Sequence, residues 1–179
     1  MEQWKKRRSL MRQVRFTCTF EPMEREVLGD LSAAVMEALI RRAQSAPKDP
    51  LAEMTGMPSG HKSPPSDPGL ARLLPDFERE GDEEYDGDNS LLRSFNENDI
   101  VKAKIASLQV INSALGPDGN VAVSVTEEEA AAWVAGLNDI RLYVASGDAG
   151  GGEAAEEDRE NLVQWLAYNQ ESLLEALMA

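Results

Sequence analysis

One cysteine, Cys18, and one histidine, His61, bound the nucleophilic chemistry that this chain can carry. Cys18 falls on the apolar side of an alternating segment, where a thiol packs as a small hydrophobe. His61 lies in a stretch rich in Pro and Gly, and no G-x-S-x-G elbow presents a serine to it. A single cysteine also excludes an intramolecular disulfide and a cysteine-based zinc site. The run Gly147-Asp148-Ala149-Gly150-Gly151-Gly152 lacks the Lys-Ser/Thr of a phosphate loop, and Glu153, Glu156, Glu157 and Asp158 follow it. An anion would be repelled there, so 147–153 reads as a Gly-rich loop. The tract 78–88 places Asp82, Asp86 and Asp88 at intervals similar to a calcium loop, but the patterned ligands and closing glutamate of an EF-hand are missing. It reads as an acidic flexible loop, 78–89, and no Glu-x-x-His pair offers a metal site between helices. The expectation is a protein with no metal and no cofactor.

The remaining polar constellation lies in Trp133-Val134-Ala135-Gly136-Leu137-Asn138-Asp139-Ile140-Arg141-Leu142. On a helix, Trp133, Leu137 and Ile140 share one face, with Asn138, Asp139 and Arg141 beside it. Asn138 and Arg141 are three apart and can meet. Asp139 can pair with an arginine from another segment, Arg72 or Arg93. Together with Asp76 these make the candidate polar interaction site: Asn138, Asp139, Arg141, Arg72, Asp76 and Arg93. A catalytic version would need Asp67, Asp76 and Asp139 to converge with Arg72 and Arg141 in one pocket. A satisfied network tying helix to loop is the commoner use of half-buried polar groups. The chain is therefore read as no enzyme.

Two strands and several helices must position these residues. Val14, Phe16, Cys18 and Phe20 alternate with Arg15, Thr17 and Thr19, the period of a half-buried strand. Val121, Val123 and Val125 alternate likewise, and since one strand is not stable alone, the two segments should pair. Val27, Leu28, Leu31, Val35, Leu39 and Ile40 predict a helix over 22–44, with Pro22 at its first position and Arg41 and Arg42 complementing its dipole. Short helical turns fit 50–55 and 69–74, where Leu70, Leu73, Leu74 and Phe77 should pack down. A short helix over 90–95 is expected, then Asn96-Glu97-Asn98-Asp99 as the cap of a helix carrying Val101, Ile105, Leu108, Ile111 and Leu115. Thr126 with Glu129 makes the capping box of the Trp133 helix, and a last helix covers 154–177. The fold class is mainly α: a helical bundle of about four main helices with a small two-stranded antiparallel β element, residues 13–20 with 120–125. A single domain over 1–179 is the expectation.

Charge narrows the partners. The net charge is −14, yet the first twenty residues carry six cations against Glu2, a net +5, and residues 1–12 form a basic N-terminal arm. An acidic body disfavours nucleic acid. No run approaches the roughly 20 apolar residues of a membrane span, so a cytoplasmic protein with no membrane partner is expected.

Several strings are specific in combination: Trp4-Lys5; Leu51 through Met57; Gly60-His61; Asp67-Pro68-Gly69-Leu70-Ala71-Arg72-Leu73-Leu74-Pro75-Asp76-Phe77; Leu92-Arg93; Asp99-Ile100; the Trp133 helix; and Gln164-Trp165-Leu166 with Gln170-Glu171. In these the chain resembles the actinobacterial domain-of-unknown-function family numbered two-zero-one-seven over nearly its whole length. Past Leu142 it departs from the family's aliphatic and Gly-rich continuation. The resemblance implies no catalytic residues, and members are sometimes labelled transcriptional regulators. The functional expectation is a non-catalytic protein-interaction or regulatory module, self-associating as a homodimer, with a possible protein partner. The alternatives are a DNA-binding transcriptional regulator that uses the basic arm, and an enzyme with an Asp/Arg pocket.

Overall fold

The computed structural model describes residues 1–179 apart from 9–12, 58, 80, 82–84, 118–120 and 148–149, and only the backbone of 85–87. The elements run β1 (Lys5–Arg8), β2 (Val14–Thr19), α1 (Pro22–Gln44), α2 (Pro50–Thr55), α3 (Pro68–Leu73), α4 (Tyr85–Leu115), β3 (Ala122–Val125), α5 (Glu127–Ser146) and α6 (Gly152–Met178). The protein is mainly helical, and the described residues form four long helices, two short ones and one small antiparallel sheet.

The expected pairing of the two alternating segments is present, with Phe16 opposite Val125 and Cys18 opposite Val123. The sheet nevertheless has three strands, because Lys5–Arg8 of the basic arm pairs with β2, Lys6 opposite Phe16 and Arg8 opposite Val14. Four consecutive cations conceal a strand from any hydrophobic period, since all four are exposed and none alternates in polarity. What fixes the strand is Trp4 just before it, which is buried. Its backbone N–H donates to Ser172 Oγ at 2.9 Å and its indole Nε1 to Asn169 Oδ1 at 2.8 Å, both on α6.

The second difference is at α4. The helix is continuous from Tyr85, so it enters the expected acidic loop and runs through the expected cap at 96–99. The capping reading failed because those polar side chains have other partners. Glu97 pairs with Arg93 and Arg42, Asn98 donates to the Ser59 carbonyl at 3.2 Å, and Asn96 donates to the carbonyl of Leu92 one turn back at 2.8 Å. The boundaries of α1 and the reciprocal box of Thr126 and Glu129 at the start of α5 are as the sequence predicts.

Helix α5 is the centre of the fold, packed against α1, α3, α4 and α6. Trp133 is fully buried and meets Trp4 edge-on with ring centroids 5.2 Å apart, while Phe20 stacks on it at 6.1 Å. Such aromatic packing contributes about 0.5–1.5 kcal/mol per pair beyond area burial. Three residues on, Gly136 marks a close approach of α5 to α4. A Cβ there would lie 2.6 Å from Ile111 Cδ1 and 3.4 Å from the Ser107 carbonyl oxygen. Because Ile111 is itself fully buried, it has little room to yield. Gly136→Val should lower stability by about 1–3 kcal/mol through overpacking. A denaturant midpoint that does not move would contradict this close crossing.

Candidate functional site

The polar face of α5 is assembled as expected at one point and differently at another. Arg141 Nη2 donates to Asn138 Oδ1 at 3.1 Å, the contact that their spacing predicts. Asp139 is paired with neither Arg72 nor Arg93: its carboxylate receives Lys104 Nζ from α4 at 2.7 Å. The reason is axial distance. Lys104 lies eleven residues beyond Arg93 on the same helix, about 16 Å along the axis at the ordinary rise. The crossing of α4 and α5 brings Lys104 to Asp139, while Arg93 serves the other end of α4. Arg72 is exposed in the last turn of α3.

Around Arg93 the structure builds a buried charge network that the candidate residues only partly foreshadow. Arg93 has no exposure. Its Nη2 donates to Asp76 Oδ1 at 2.8 Å, and its Nη1 donates to Glu97 Oε1 at 3.0 Å and to the Leu74 carbonyl at 3.1 Å. Glu97, also buried, receives Arg42 of α1 through both carboxylate oxygens at 3.1 Å. Asn89 closes the ring, donating to Asp76 at 3.2 Å and accepting from the Phe77 backbone N–H at 2.8 Å. The guanidinium lies 5.8 Å from the Phe77 ring centroid. Asp76 and Arg93 were among the candidates, whereas Glu97, Arg42 and Asn89 were missed. The missed signal was the i,i+4 spacing of Arg93 and Glu97, which needs one continuous helix to count.

The network frames a groove. Arg42 Nη2 also donates to the Ser63 carbonyl at 2.6 Å, and His61 Nε2 lies 2.8 Å from the Arg42 carbonyl oxygen and 3.0 Å from Ser45 Oγ. These bonds hold residues 59–63 between α1 and α4. Gly60 is pressed on α4 so closely that a Cβ would meet the Ser94 carbonyl oxygen at 3.0 Å. The groove between α2, this loop and α4 has a volume of about 660 Å³. Its walls include Leu51, Ala52, Met57, Leu91 and Phe95, with Lys48, Lys62 and Asp49 also lining it.

Asp67, Asp76 and Asp139 do not form one catalytic cluster. Asp67 caps α3 by accepting from the Leu70 N–H at 2.8 Å, and the other two belong to the separate networks above. Among the described residues, no three His, Cys, Asp or Glu side chains are grouped to hold a metal ion. Of the acidic residues with calcium-like spacing, Asp82 and the side chain of Asp86 lie outside the described residues. Cys18 is buried on β2 and donates its thiol to the Glu2 carbonyl at 3.1 Å. Burial pushes the thiol up to about 12, which keeps it protonated and unreactive at neutral pH. No helix among the described residues is long and apolar enough to cross a membrane.

The architecture defines a mainly helical protein whose described polar constellations are tied into its framework, with an apolar groove between α2, the 59–63 loop and α4. The chain belongs to the family described as a domain of unknown function, DUF2017, which matches it over residues 1–177. It is 35% identical over 182 residues to the oxidative stress regulator AosR of Mycobacterium tuberculosis (strain ATCC 25618 / H37Rv), covering 92% of this chain and 83% of that protein. The protein of the same name from Mycobacterium bovis (strain ATCC BAA-935 / AF2122/97) matches with the same identity and coverage. No solved structure matches.

Two outcomes follow from the networks. Arg93→Met should cost about 3–5 kcal/mol, the penalty for stripping a buried charge network of one partner. For a chain of this size that lowers Tm by on the order of 10 °C, and a loss below about 1 kcal/mol would contradict the network's role. Burial raises the Asp139 carboxyl above its ordinary 3.8, although Lys104 opposes the shift by hydrogen bonding and attraction. A folded-state pKa above the unfolded one means stability present with the proton bound and lost as pH rises through the folded pKa. Measured by urea unfolding, the native chain should therefore gain on Asp139→Asn as pH falls from about 7 toward 4. A difference that is constant or moves the other way would contradict this.

Proposed function

We propose that this protein is a non-catalytic regulator that acts by binding another protein, in a response to oxidants. The observation that carries this reading is the similarity to proteins named oxidative stress regulator, at 35% identity over 92% of the chain. The site geometry supports it: the candidate carboxylates are engaged in structural pairs, and the groove offers apolar surface. Homodimer formation is an extension of the reading. Light scattering over a concentration series tests it, and a monomer throughout removes that element alone.

The protein's own thiol is a poor sensor in this reading, because Cys18 is buried and held protonated. A host lacking the gene should survive peroxide less well, and both the wild-type chain and Cys18→Ala should restore survival. Unchanged survival of the deletion strain would remove the oxidant role. Rescue by the wild type but not by Cys18→Ala, at equal protein level, would make Cys18 the sensor after all.

A second reading, a DNA-binding regulator, is favoured by one observation. β1 presents Lys5, Lys6, Arg7 and Arg8 in exposed positions at the sheet's edge, with Arg7 directly opposite Arg15. Like charges facing each other across strands repel, and a phosphate backbone would relieve that repulsion. This reading predicts salt-sensitive DNA binding that is lost when the four cations are replaced by glutamine. Absence of binding at low salt contradicts it.

A further inference from the structure

Three of the exposed large apolar side chains meet at one concave surface, while Met23, Val27, Ile40, Tyr168, Leu174 and Met178 lie elsewhere. Leu51 is 69% exposed, Leu91 52% and Met57 54%, and all three line the groove between α2, the 59–63 loop and α4. Met54, 85% exposed, lies one turn along α2 from Pro50 and Leu51. Isolated exposed aliphatics need no explanation, but several converging on one concave surface mark an interaction site. Met side chains also adapt to differing partner shapes, which suits a docking surface.

Charge selects the occupant. The protein carries −14, yet the groove is lined by Lys48 and Lys62, and among the described residues no carboxylate lies in salt-bridge range of either. Its carboxylate, Asp49, is engaged as the cap of α2, accepting from the Leu51 N–H at 2.9 Å and the Ala52 N–H at 3.4 Å. The lining thus carries two lysines against one aspartate, in contrast to the net −14 of the whole chain. A basic partner would meet Lys48 and Lys62 here with like charge, whereas an acidic flank would pair with them. We infer that the α2–α4 groove docks an amphipathic helix of a different protein, its apolar face against Leu51, Met57 and Leu91 and its acidic flank against Lys48 and Lys62.

This inference rests on the partner-binding reading above and names its surface. An amphipathic helix in a groove is read by anchors at i, i+3, i+4 and i+7, and Leu51, Met57 and Leu91 offer the apolar wall that such anchors would meet. The side chains invoked are exposed, so replacing them should leave stability within about 0.5 kcal/mol. The frame of the groove is rigid on this account, since the loop is fixed to Arg42 on one side and to Ser94 and Asn98 on the other.

The test uses the full chain and a fluorescent synthetic peptide with leucines at the anchor spacing and glutamates elsewhere, followed by anisotropy. Its counterpart carries lysines in place of the glutamates. The acidic peptide should bind, and the basic one should bind at least roughly tenfold more weakly. Leu91→Ser should weaken the acidic peptide roughly tenfold, the loss expected when one buried leucine anchor is removed. Lys48→Glu with Lys62→Glu should weaken it similarly and flatten its salt dependence. No binding of the acidic peptide, equal binding of both peptides, or binding indifferent to Leu91→Ser overturns the proposal. Self-association that Leu91→Ser abolishes would assign the groove to a second copy and overturns it too. The survival assay keeps the two readings apart. If Leu91→Ser restores peroxide survival fully, the groove is not the regulatory surface, while the regulatory reading itself stands.

Discussion

Arg93 takes its guanidinium wholly inside the protein, and an unpaired buried charge is among the costliest features a fold can contain. The surroundings of Arg93 answer that constraint. Glu97 one turn along α4 and Asp76 from the segment after α3 supply carboxylates, and the Leu74 carbonyl takes a further N–H. Glu97 then needs a second cation, which Arg42 brings from the end of α1. Arg42 in turn reaches Ser63 and so ties down the chain that lines the groove. One buried cation thus links α1, α4 and the segments around α2 and α3. It does so in a region that contributes little to the aromatic core around Trp133.

The two halves of the framework rest on different physics. At the sheet end, Trp4, Phe20 and Trp133 pack with little need of charge, and the hydrogen bonds of Trp4 to Ser172 and Asn169 fasten β1 to α6. At the α2–α3 end, few large apolar groups are buried, and hydrogen bonds and ion pairs hold long irregular segments in place. Buried pairs of this kind add little net stability over an apolar core, but they penalise wrong arrangements strongly. That suits a region whose outward side must present a defined surface.

Legibility in the sequence followed the same division. Elements driven by periodicity could be read directly: α1 with its proline start, the Thr126–Glu129 box, and the pairing of β2 with β3 through Phe16, Cys18, Val123 and Val125. Elements decided by long-range partners could not. The polar run at 96–99 looks like a cap until Arg42 and Ser59, distant in sequence, occupy its side chains. Lys5–Arg8 carries no strand signal because a neighbouring strand and α6 impose its conformation. The Asn138–Arg141 contact is local and was foreseeable, but the choice of Lys104 over an arginine for Asp139 depends on where α4 and α5 cross. The groove has no sequence signature, since it is a gap between segments and not a pattern within one.

Backbone hydrogen exchange on Glu97→Gln tests most directly whether this network fixes the groove. Removing the charge of Glu97 frees Arg42 from its carboxylate while leaving the side chain's volume in place. Amides in the 59–63 loop and in α2 should then lose protection, while those of β2 around Phe16 and Cys18 keep theirs. Unchanged exchange in the loop, or equal loosening of loop and sheet together, would contradict the claim that the buried charges hold this surface in place.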